Sequence, residues 1–464
     1  MRKAVATLSA GETFKFIRPL RCALALAVFA VCGTTQCQWW ADAGIDIDHN
    51  GEIRALYVDS VDNTLYCTGA LIQDWGQPNQ SFRYAALQNG SWSLSAPLGN
   101  YALTVISFHD TLFVGGEFTT FGGLPTARLT CRVNGVWQSC GNFNAGVNRL
   151  KVVDGELYAL GNFSNVDGLP CKGIVKRSGG SWVIVGDLSC NECRVGDLVK
   201  FQGRLVASGT MPFNGFRHVV QLVNGTWQPV GAQGIYGSLS SGGPLAVYQG
   251  DLYLGGLIDI NAGNAGHALM RWDGAAWHQV GAGVQDETDG TNYLITVQDL
   301  MVHDDKLFVS GAFSYAGHVP ANRIATWDGV QWCSVGGDFG EYPVTRMAYY
   351  NDTLYVACWD QADGQPVQGV AKFIAPAFEN NCSGTTAVVP VAGGKPPRLV
   401  PKGHGRYMLQ GFAGRGALEV FGALGQLVAQ RTVAGGESFS LEGLPSGVCI
   451  ARLPDGSRQR FVVE

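Results

Sequence analysis

Short stretches of alternating apolar and polar residues, separated by tight turns, recur along most of this chain. Residues 147–186 illustrate the pattern, with turn dipeptides such as Asp154-Gly155 between apolar runs. The runs cover residues 147–153, 157–160, 173–176 and 182–185. Alternation with a period of two, interrupted by Asp-Gly or Asn-Gly, predicts antiparallel hairpins, because both central residues of a type I′ turn need positive φ. The unit is therefore predicted to form four short antiparallel strands.

Two landmarks repeat with this unit at a spacing of roughly 45 to 55 residues. One is a tryptophan just after a turn: Trp92, Trp137, Trp182, Trp227, Trp277 and Trp332. The other is Leu followed in most units by an aromatic residue: Leu65-Tyr66, Leu112-Phe113, Leu157-Tyr158, Leu205-Val206, Leu252-Tyr253, Leu307-Phe308 and Leu354-Tyr355. Four-stranded units at this period are typical of β-propeller blades. We predict that the tryptophans are core residues between neighbouring blades, because each buries a large apolar surface.

The first and last repeats are incomplete in complementary ways. Trp40 to Gly44 matches the Trp-x-x-x-Gly ending of the other units but lacks the three preceding strands, whereas 344–375 lacks the tryptophan strand. We therefore predict that the Trp40 strand completes the last unit, which removes free sheet edges. The expected fold is all-β, with a seven-bladed propeller over residues 38–376.

The unit resembles the kelch-like propeller repeats, whose Gly-Gly pair is kept at Gly115-Gly116 and Gly255-Gly256. This resemblance implies a fold, not an activity.

The N-terminal 37 residues have the pattern of a secretory signal peptide. A basic region is followed by the apolar run 22–32, which is too short to span a bilayer. Cleavage is expected between Gly33 and Trp39. The mature chain is therefore predicted to be exported, without a transmembrane segment.

The composition changes after the last repeat. Residues 377–398 are predicted to be a linker, and 399–464 a small β-sandwich domain. This domain resembles the type A C-terminal sorting domain of the type IX secretion system in several segments: Leu418 to Phe421, Leu424 to Val428, Leu441 to Gly447 and Phe461 to Val463. The resemblance implies a Bacteroidetes-type source, passage through the outer membrane, and the type IX secretion machinery as a partner of 399–464. The alternative is a carbohydrate-binding or structural appendage.

Charge is distributed unevenly along the chain. Residues 1–37 and 383–464 each carry a net charge of +4 while the whole chain carries −5, so residues 38–382 carry −13. An acidic propeller is a poor partner for nucleic acid and suits cations or basic surfaces better.

Eleven cysteines remain from Cys37 onward, and in an exported protein some should pair. Cys190 and Cys193 are the closest in sequence, and a local disulfide or two free thiols are the expected states. A zinc site there would need a second cysteine pair at matching spacing, which the sequence lacks. Cys131 and Cys140 flank one Asn-Gly hairpin in a diagonal arrangement.

The most favourable binding surface is the face that carries the longer connections. Tight turns within each unit open on one face of the disc, and the second-to-third and inter-unit connections open on the other, where binding residues are typically found. Aromatic residues outside the repeat register are the candidate ligand contacts there: Trp75, Tyr236, Tyr293, Tyr315 and Trp359.

Two acidic segments are candidate calcium sites, since calcium prefers oxygen ligands. One contains Asp46, Asp48 and Asn50 and opens like an EF-hand loop, although Tyr57 replaces the acid at position twelve. The other contains Asp286, Glu287 and Asp289. No other cofactor is expected.

Catalytic motifs do not appear in the chain. There is no Gly-x-Ser-x-Gly elbow, phosphate loop, dinucleotide fingerprint or His-x-x-x-His spacing. The leading hypothesis is a cell-surface or secreted binding module for a glycan or protein. The alternatives are a structural surface protein without a small ligand, and a propeller glycoside hydrolase or lyase.

Overall fold

The computed structural model is all-β, and the residues that it describes contain no helix. Those residues are 38–45, 52–72, 81–95, 100–121, 123–190, 192–211, 219–231, 235–238, 243–260, 267–286, 295–379, 381–383, 398–403, 405–410, 415–422, 426–434, 436, 438–441, 443–444, 446–453 and 458–463. The predicted signal peptide, residues 1–37, lies outside them.

Most of the chain forms seven antiparallel sheets, numbered here in chain order, with four strands each in sheets 1 to 4. Sheet 1 contains Glu52–Asp59, Thr64–Ile72, Ser81–Gln88 and Ser91–Leu94. Sheet 2 contains Ala102–Phe108, Thr111–Gly116, Arg128–Val133 and Val136–Asn142. Sheet 3 contains Val147–Val153, Glu156–Gly161, Ile174–Ser178 and Ser181–Ile184. Sheet 4 contains Arg194–Phe201, Arg204–Thr210, Val219–Val223 and Thr226–Pro229.

The remaining three sheets vary this plan. Sheet 5 contains Ile235–Ser238 and Leu245–Tyr248, which both pair with Asp251–Ile260, then His267–Trp272 and Trp277–Gln279. Sheet 6 contains Thr296–His303, Lys306–Ala312, Ile324–Trp327, Trp332–Ser334 and Cys382–Ser383. Sheet 7 contains Arg346–Tyr350, Thr353–Ala357, Val370–Phe373 and the N-terminal strand Trp40–Asp42. The pairing of Trp40 with Phe373 joins the two ends of the repeat region in one sheet, as the complementary end repeats predicted.

The first strands of the seven sheets lie next to one another. Each contacts the first strand of the following sheet, with Leu245–Tyr248 in that position in sheet 5. The first strand of sheet 7 in turn contacts the first strand of sheet 1, Glu52–Asp59. The residues at the start of these strands are therefore brought together although they are far apart in sequence.

The repeated tryptophans join each sheet to the preceding one. Six of them donate a hydrogen bond from indole Nε1 to a backbone carbonyl at the end of a neighbouring fourth strand, over 2.6–3.4 Å. The donor–acceptor pairs are Trp40–Gly336, Trp92–Ala43, Trp182–Cys140, Trp227–Val185, Trp277–Val230 and Trp332–Val280. The structure buries Trp40, Trp182, Trp227, Trp277 and Trp332, whereas Trp92 and Trp137 are half-buried.

The glycine that ends each Trp-x-x-x-Gly motif has a steric role in this contact. Gly281 has φ +56°, and a Cβ atom there would lie 2.9 Å from Nε1 of Trp332 in the next sheet. Glycine is therefore required both by the left-handed backbone and by the approach of the indole.

Four of the connections between second and third strands are short β-hairpins instead of the irregular loops that their length suggested. Their paired strands are Thr120–Phe121 with Leu124–Pro125, Asn165–Val166 with Leu169–Pro170, Tyr315–Ala316 with Val319–Pro320, and Gln361–Ala362 with Gln365–Pro366. An apolar side chain from each hairpin packs into the core, including Phe121, Val166, Ala316 and Ala362. The face that carries the longer connections therefore contains more paired β-strand than the sequence pattern indicated.

Residues 377–379 and 381–383, assigned to the linker from sequence, pack on sheet 6. Backbone hydrogen bonds join Glu379 to Val335 and Ser334 to Asn381, and a disulfide joins Cys333 to Cys382. Contacts with the repeat region thus continue past residue 376. The linker residues from 384 to 397 lie outside the described part of the chain.

Two further disulfides join cysteines that are close in sequence, Cys131–Cys140 and Cys190–Cys193. The Cys190–Cys193 bond agrees with the local disulfide that was one expected state. It also leaves no thiolate of this pair for zinc, which binds deprotonated cysteine.

The C-terminal residues form two further antiparallel sheets with a common core. One sheet contains Arg398–Gly403, Arg406–Gln410 and Ser438–Ser440. The other contains Arg415–Phe421, Leu427–Ala434, Gly447–Arg452 and Arg458–Val463. Buried residues from both, including Leu409 and Val420, form one hydrophobic cluster. This arrangement is a small β-sandwich.

Candidate functional site

A cavity of about 360 Å³ lies where the first strands meet. It is lined by the beginnings of the first strands of sheets 1 to 4, by the ends of several second strands, and by Arg346 of sheet 7. The beginnings of first strands and the ends of second strands lie on the face of the longer connections. The cavity therefore opens on the face that the sequence favoured for binding.

A β-bulge repeated in the first strands shapes this cavity. The pairing between first and second strands shifts register around Arg54, Leu103, Asn148, Gly196 and Gln298. Four of these five residues line the cavity: Arg54, Leu103, Asn148 and Gly196. A glycine at the end of the second strand accommodates the bulge; a Cβ atom on Gly209, for example, would lie 2.0 Å from the carbonyl oxygen of Arg194. Bulges of this kind redirect side chains, here toward the common centre.

Among the described residues that line the cavity, four are arginines and one, Glu117, is a carboxylate. The arginines are Arg54, Arg149, Arg194 and Arg346. The cavity is therefore locally basic, although residues 38–382 carry a net charge of −13. The net charge of the repeat region therefore does not describe this cavity, because a net charge does not locate the charges.

An ion-pair network lies beside the arginines. The carboxylate of Asp197, only 1% exposed, is 2.9 Å from Arg149 and 2.9 Å from Lys151, and accepts a hydrogen bond from the backbone N–H of Leu245 over 3.0 Å. Burial by itself raises the pKa of Asp197, but the two cations and this hydrogen bond lower it overall. Asp197 is therefore held in its charged form.

Two equivalent side chains on other first strands make the same type of bond to the next sheet. Asp299 accepts from the backbone N–H of Met347 over 2.9 Å, and Thr104 accepts from that of Leu150 over 3.0 Å. Burial raises the pKa of Asp299, and attraction to Arg346 and Arg149 does not offset that effect. The raised pKa of Asp299 thus comes from burial, and the carboxylate serves as an acceptor for the backbone of the neighbouring strand.

Arg346 is held by backbone carbonyls and surrounded by other cations. Its guanidinium donates to the carbonyl of Arg54 over 2.7 Å and to that of Gln298 over 3.2 Å. Burial lowers the pKa of Arg346 to about 10, and the positive charges of Arg149 and Arg54 contribute in the same direction. The guanidinium groups of Arg149 and Arg54 are thus close enough to Arg346 to disfavour its charged form.

Other lining residues of the cavity are neutral or acidic and rich in hydrogen-bonding groups. Side chains of Glu117, Asn148 and Asn162 converge on the backbone at Gly146, where a Cβ atom would lie 3.2–3.3 Å from each of them. Tyr101, 38% exposed, adds an aromatic ring to the lining.

The aromatic residues selected from sequence do not line this cavity where the structure describes them. Tyr315 lies in a hairpin strand that pairs with Val284–Gln285. Trp359 stacks on Tyr342, with ring centroids 5.2 Å apart, and Tyr342 is 45% exposed. Tyr236 lies in the strand Ile235–Ser238 of sheet 5. The side chain of Tyr236 and the whole of Trp75 and Tyr293 lie outside the described residues.

The calcium candidates remain predictions. Of the six residues proposed as ligands, only Asp286 is described, and it accepts a hydrogen bond from the hydroxyl of Ser314 over 2.6 Å. Asp46, Asp48, Asn50, Glu287 and Asp289 lie outside the described residues. Within the described ranges, no group of three or more His, Cys, Asp or Glu side chains is arranged to hold a metal ion.

The arginine cluster was missed by sequence reasoning, which searched for aromatic and acidic residues in the longer connections. Arg54, Arg149 and Arg194 all occur near the start of a first strand, eight to eleven residues before the repeated Leu of their unit. They occupy different register positions relative to the β-bulge, so the repeat pattern did not mark them as a set.

Comparison with known proteins adds little to this picture. No protein-family model matches the chain. No curated protein matches it either. Among solved structures, one similar chain is PorZ of Porphyromonas gingivalis, described as an essential bacterial surface component of the type-IX secretion system. It is 11% identical with a TM-score of 0.34, and the match covers 89% of this chain and 66% of PorZ. Such a weak similarity carries no argument about this chain.

In the described part of the chain, no helix has the length and apolarity needed to cross a membrane.

Proposed function

We propose that this chain is an exported seven-bladed β-propeller that binds a glycan or protein ligand at its central cavity. The seven sheets support this architecture, as do the contacts that run from each first strand to the next and from sheet 7 back to sheet 1. The tryptophan hydrogen bonds between successive sheets support it further.

The cavity is the main structural support for a binding function. It lies where the first strands begin, has a volume of about 360 Å³, and is lined by charged, amide and aromatic side chains. Small-ligand sites are typically concave, largely preformed and equipped with a few convergent polar groups. A structural surface protein without a ligand would not need such a site.

The same lining favours binding over glycoside hydrolysis. Hydrolysis of a glycosidic bond typically uses two carboxyl groups that face each other across the substrate. Among the described residues that line the cavity, Glu117 is the one carboxylate. Asp197 and Asp299 instead bond to the backbone of neighbouring first strands.

We expect the full-length protein to bind saturably to members of an array of glycans and purified bacterial surface proteins, and Asn162→Trp to abolish that binding. Asn162 is exposed at the cavity, so an indole there would fill the opening with little effect on folding. Ser181→Trp, in the tight turn at the other end of sheet 3, is the matched control and should bind normally. Equal binding by both variants would exclude the cavity, and no binding by the unmodified protein would favour the structural role.

The C-terminal β-sandwich is proposed to deliver the propeller to the cell surface. Its two sheets and common core are consistent with a sorting domain that folds as a unit. In a bacterium with a type IX secretion system, we expect deletion of 399–464 to retain the chain in the periplasm, as measured by fractionation and immunoblotting. Fusion of 399–464 to a periplasmic fluorescent protein should conversely bring that protein to the surface. Surface display of the truncated chain would contradict this assignment.

A further inference from the structure

We propose that the central cavity binds the carboxylate-bearing terminal sugar of an acidic saccharide, an inference that rests on the proposed binding function. This inference concerns the chemical class of the ligand and follows from two chemically different sets of residues that line the cavity.

The arginines give the cavity lining an excess of positive charge. Among the described lining residues, Arg54, Arg149, Arg194 and Arg346 stand against one carboxylate, Glu117. Nearby, Asp197 pairs with Arg149 and Lys151, and Glu52 pairs with Arg54, which leaves Arg194 and Arg346 without an ion pair to a described carboxylate. A ligand carboxylate would relieve the mutual repulsion of these cations, and arginine suits it because its planar fork can donate two parallel hydrogen bonds.

Two of these arginines retain free donors. Arg194 makes no side-chain hydrogen bond or ion pair to any described residue. Arg54 pairs with Glu52 through one terminal nitrogen over 2.7 Å, and its side chain is 41% exposed. Its other terminal nitrogen makes no hydrogen bond to a described residue and can donate to a ligand carboxylate.

The remaining polar residues of the lining suit the hydroxyl groups of a sugar. Asn148 and Asn162 offer amide donors and acceptors, and Glu117 offers acceptors, all close to Gly146. Mixed donors and acceptors match hydroxyls, which both donate and accept. Tyr101 supplies a ring face against which the apolar side of a sugar ring can pack. A simple inorganic anion would bind to the arginines alone.

The size of the cavity limits the ligand to one or two sugar units. A volume of about 360 Å³ is at the small end of the range for small-molecule sites. The saccharide is therefore expected to enter by its end, with the rest of the chain outside the cavity.

The experiment is calorimetric titration of the full-length protein with a galacturonate trisaccharide, the neutral galactose trisaccharide, and inorganic phosphate. We expect the acidic trisaccharide to bind at least tenfold more tightly than either of the others. Arg194→Gln and Arg54→Gln should each weaken it by about tenfold, the loss expected for one charge-assisted hydrogen bond. Arg204→Gln is the matched control, because Arg204 is an exposed arginine at the tight turn of sheet 4. Thermal melting of each variant shows that it is folded.

Each alternative outcome separates this inference from the proposed function. Equal binding of both trisaccharides, unaffected by the arginine substitutions, would overturn the carboxylate while leaving a glycan-binding cavity. Phosphate binding as tight as the acidic trisaccharide would show an anion site without sugar recognition and overturn the saccharide. If no titrant binds while the array described above still shows cavity-dependent binding to a surface protein, the saccharide is overturned and the binding function stands.

Discussion

Replacing Trp332 by alanine is expected to lower the free energy of unfolding of the repeat region by about 4 kcal/mol, the typical loss for a buried large aromatic residue. Trp332 is 1% exposed, its ring centroid lies 5.1 Å from that of Trp327, and its Nε1 donates to Val280 of the preceding sheet. The substitution thus removes both a large apolar contact and a bond between sheets. Chemical denaturation followed by tryptophan fluorescence and circular dichroism measures the change.

Two further variants separate these contributions. Trp332→Phe keeps an aromatic ring but not the donor, so a smaller loss of about 1 kcal/mol is expected from the hydrogen bond. Val330→Ala alters an exposed residue in the adjacent turn and should change stability by less than about 0.5 kcal/mol. A loss for Trp332→Ala no larger than that for Val330→Ala would show that the repeated tryptophans do not hold the sheets together.

Replacing Asp197 by alanine is expected to lower the free energy of unfolding by about 3 kcal/mol at neutral pH, because it leaves two partly buried cations without their counter-charge. The change removes both ion pairs, with Arg149 and Lys151, and the acceptor for the N–H of Leu245. Asp197→Asn should cost less, since an amide oxygen can still accept that N–H. Urea denaturation across a series of pH values measures both variants.

The pH dependence of these losses has a definite sign. The pKa of Asp197 is lower in the folded protein than its ordinary value of 3.8. Its stabilising contribution is therefore complete above about pH 3.8, the unfolded value, and disappears as the pH falls through the lower folded pKa. Asp299 is the comparison, because its pKa is raised and its charged form is disfavoured by folding. Asp299→Asn should consequently cost less at neutral pH than Asp197→Asn, and the opposite order would contradict the proposed electrostatics.

The antiparallel units could be predicted from sequence because hairpin formation is local. Asn134 and Gly135, for example, adopt φ values of +49° and +81° in the turn before Trp137, as a type I′ turn requires. The short hairpin at Tyr315 was not predicted, because its strands are only two residues long and give no measurable alternation. Its formation depends on Ala316 packing into a core made by other parts of the chain.

The disulfides show the same distinction between local and distant contacts. Cys190 and Cys193 are three residues apart, so their pairing could be proposed from spacing. Cys333 and Cys382 are 49 residues apart, and they meet only because the segment after sheet 7 returns to the edge of sheet 6. The spacing of cysteines in the sequence therefore could not predict the pairing of Cys333 with Cys382.

By itself, the sequence determined the four-stranded unit, its repetition and the sharing of one sheet by both ends, because turn chemistry and periodic tryptophans act over a few residues. Only the tertiary structure decided where the charge lies. Arg54, Arg149, Arg194 and Arg346 span nearly 300 residues, and they line one cavity because bulged first strands converge there. Electrostatic interaction depends on distance in space, and that distance is set by how the sheets pack.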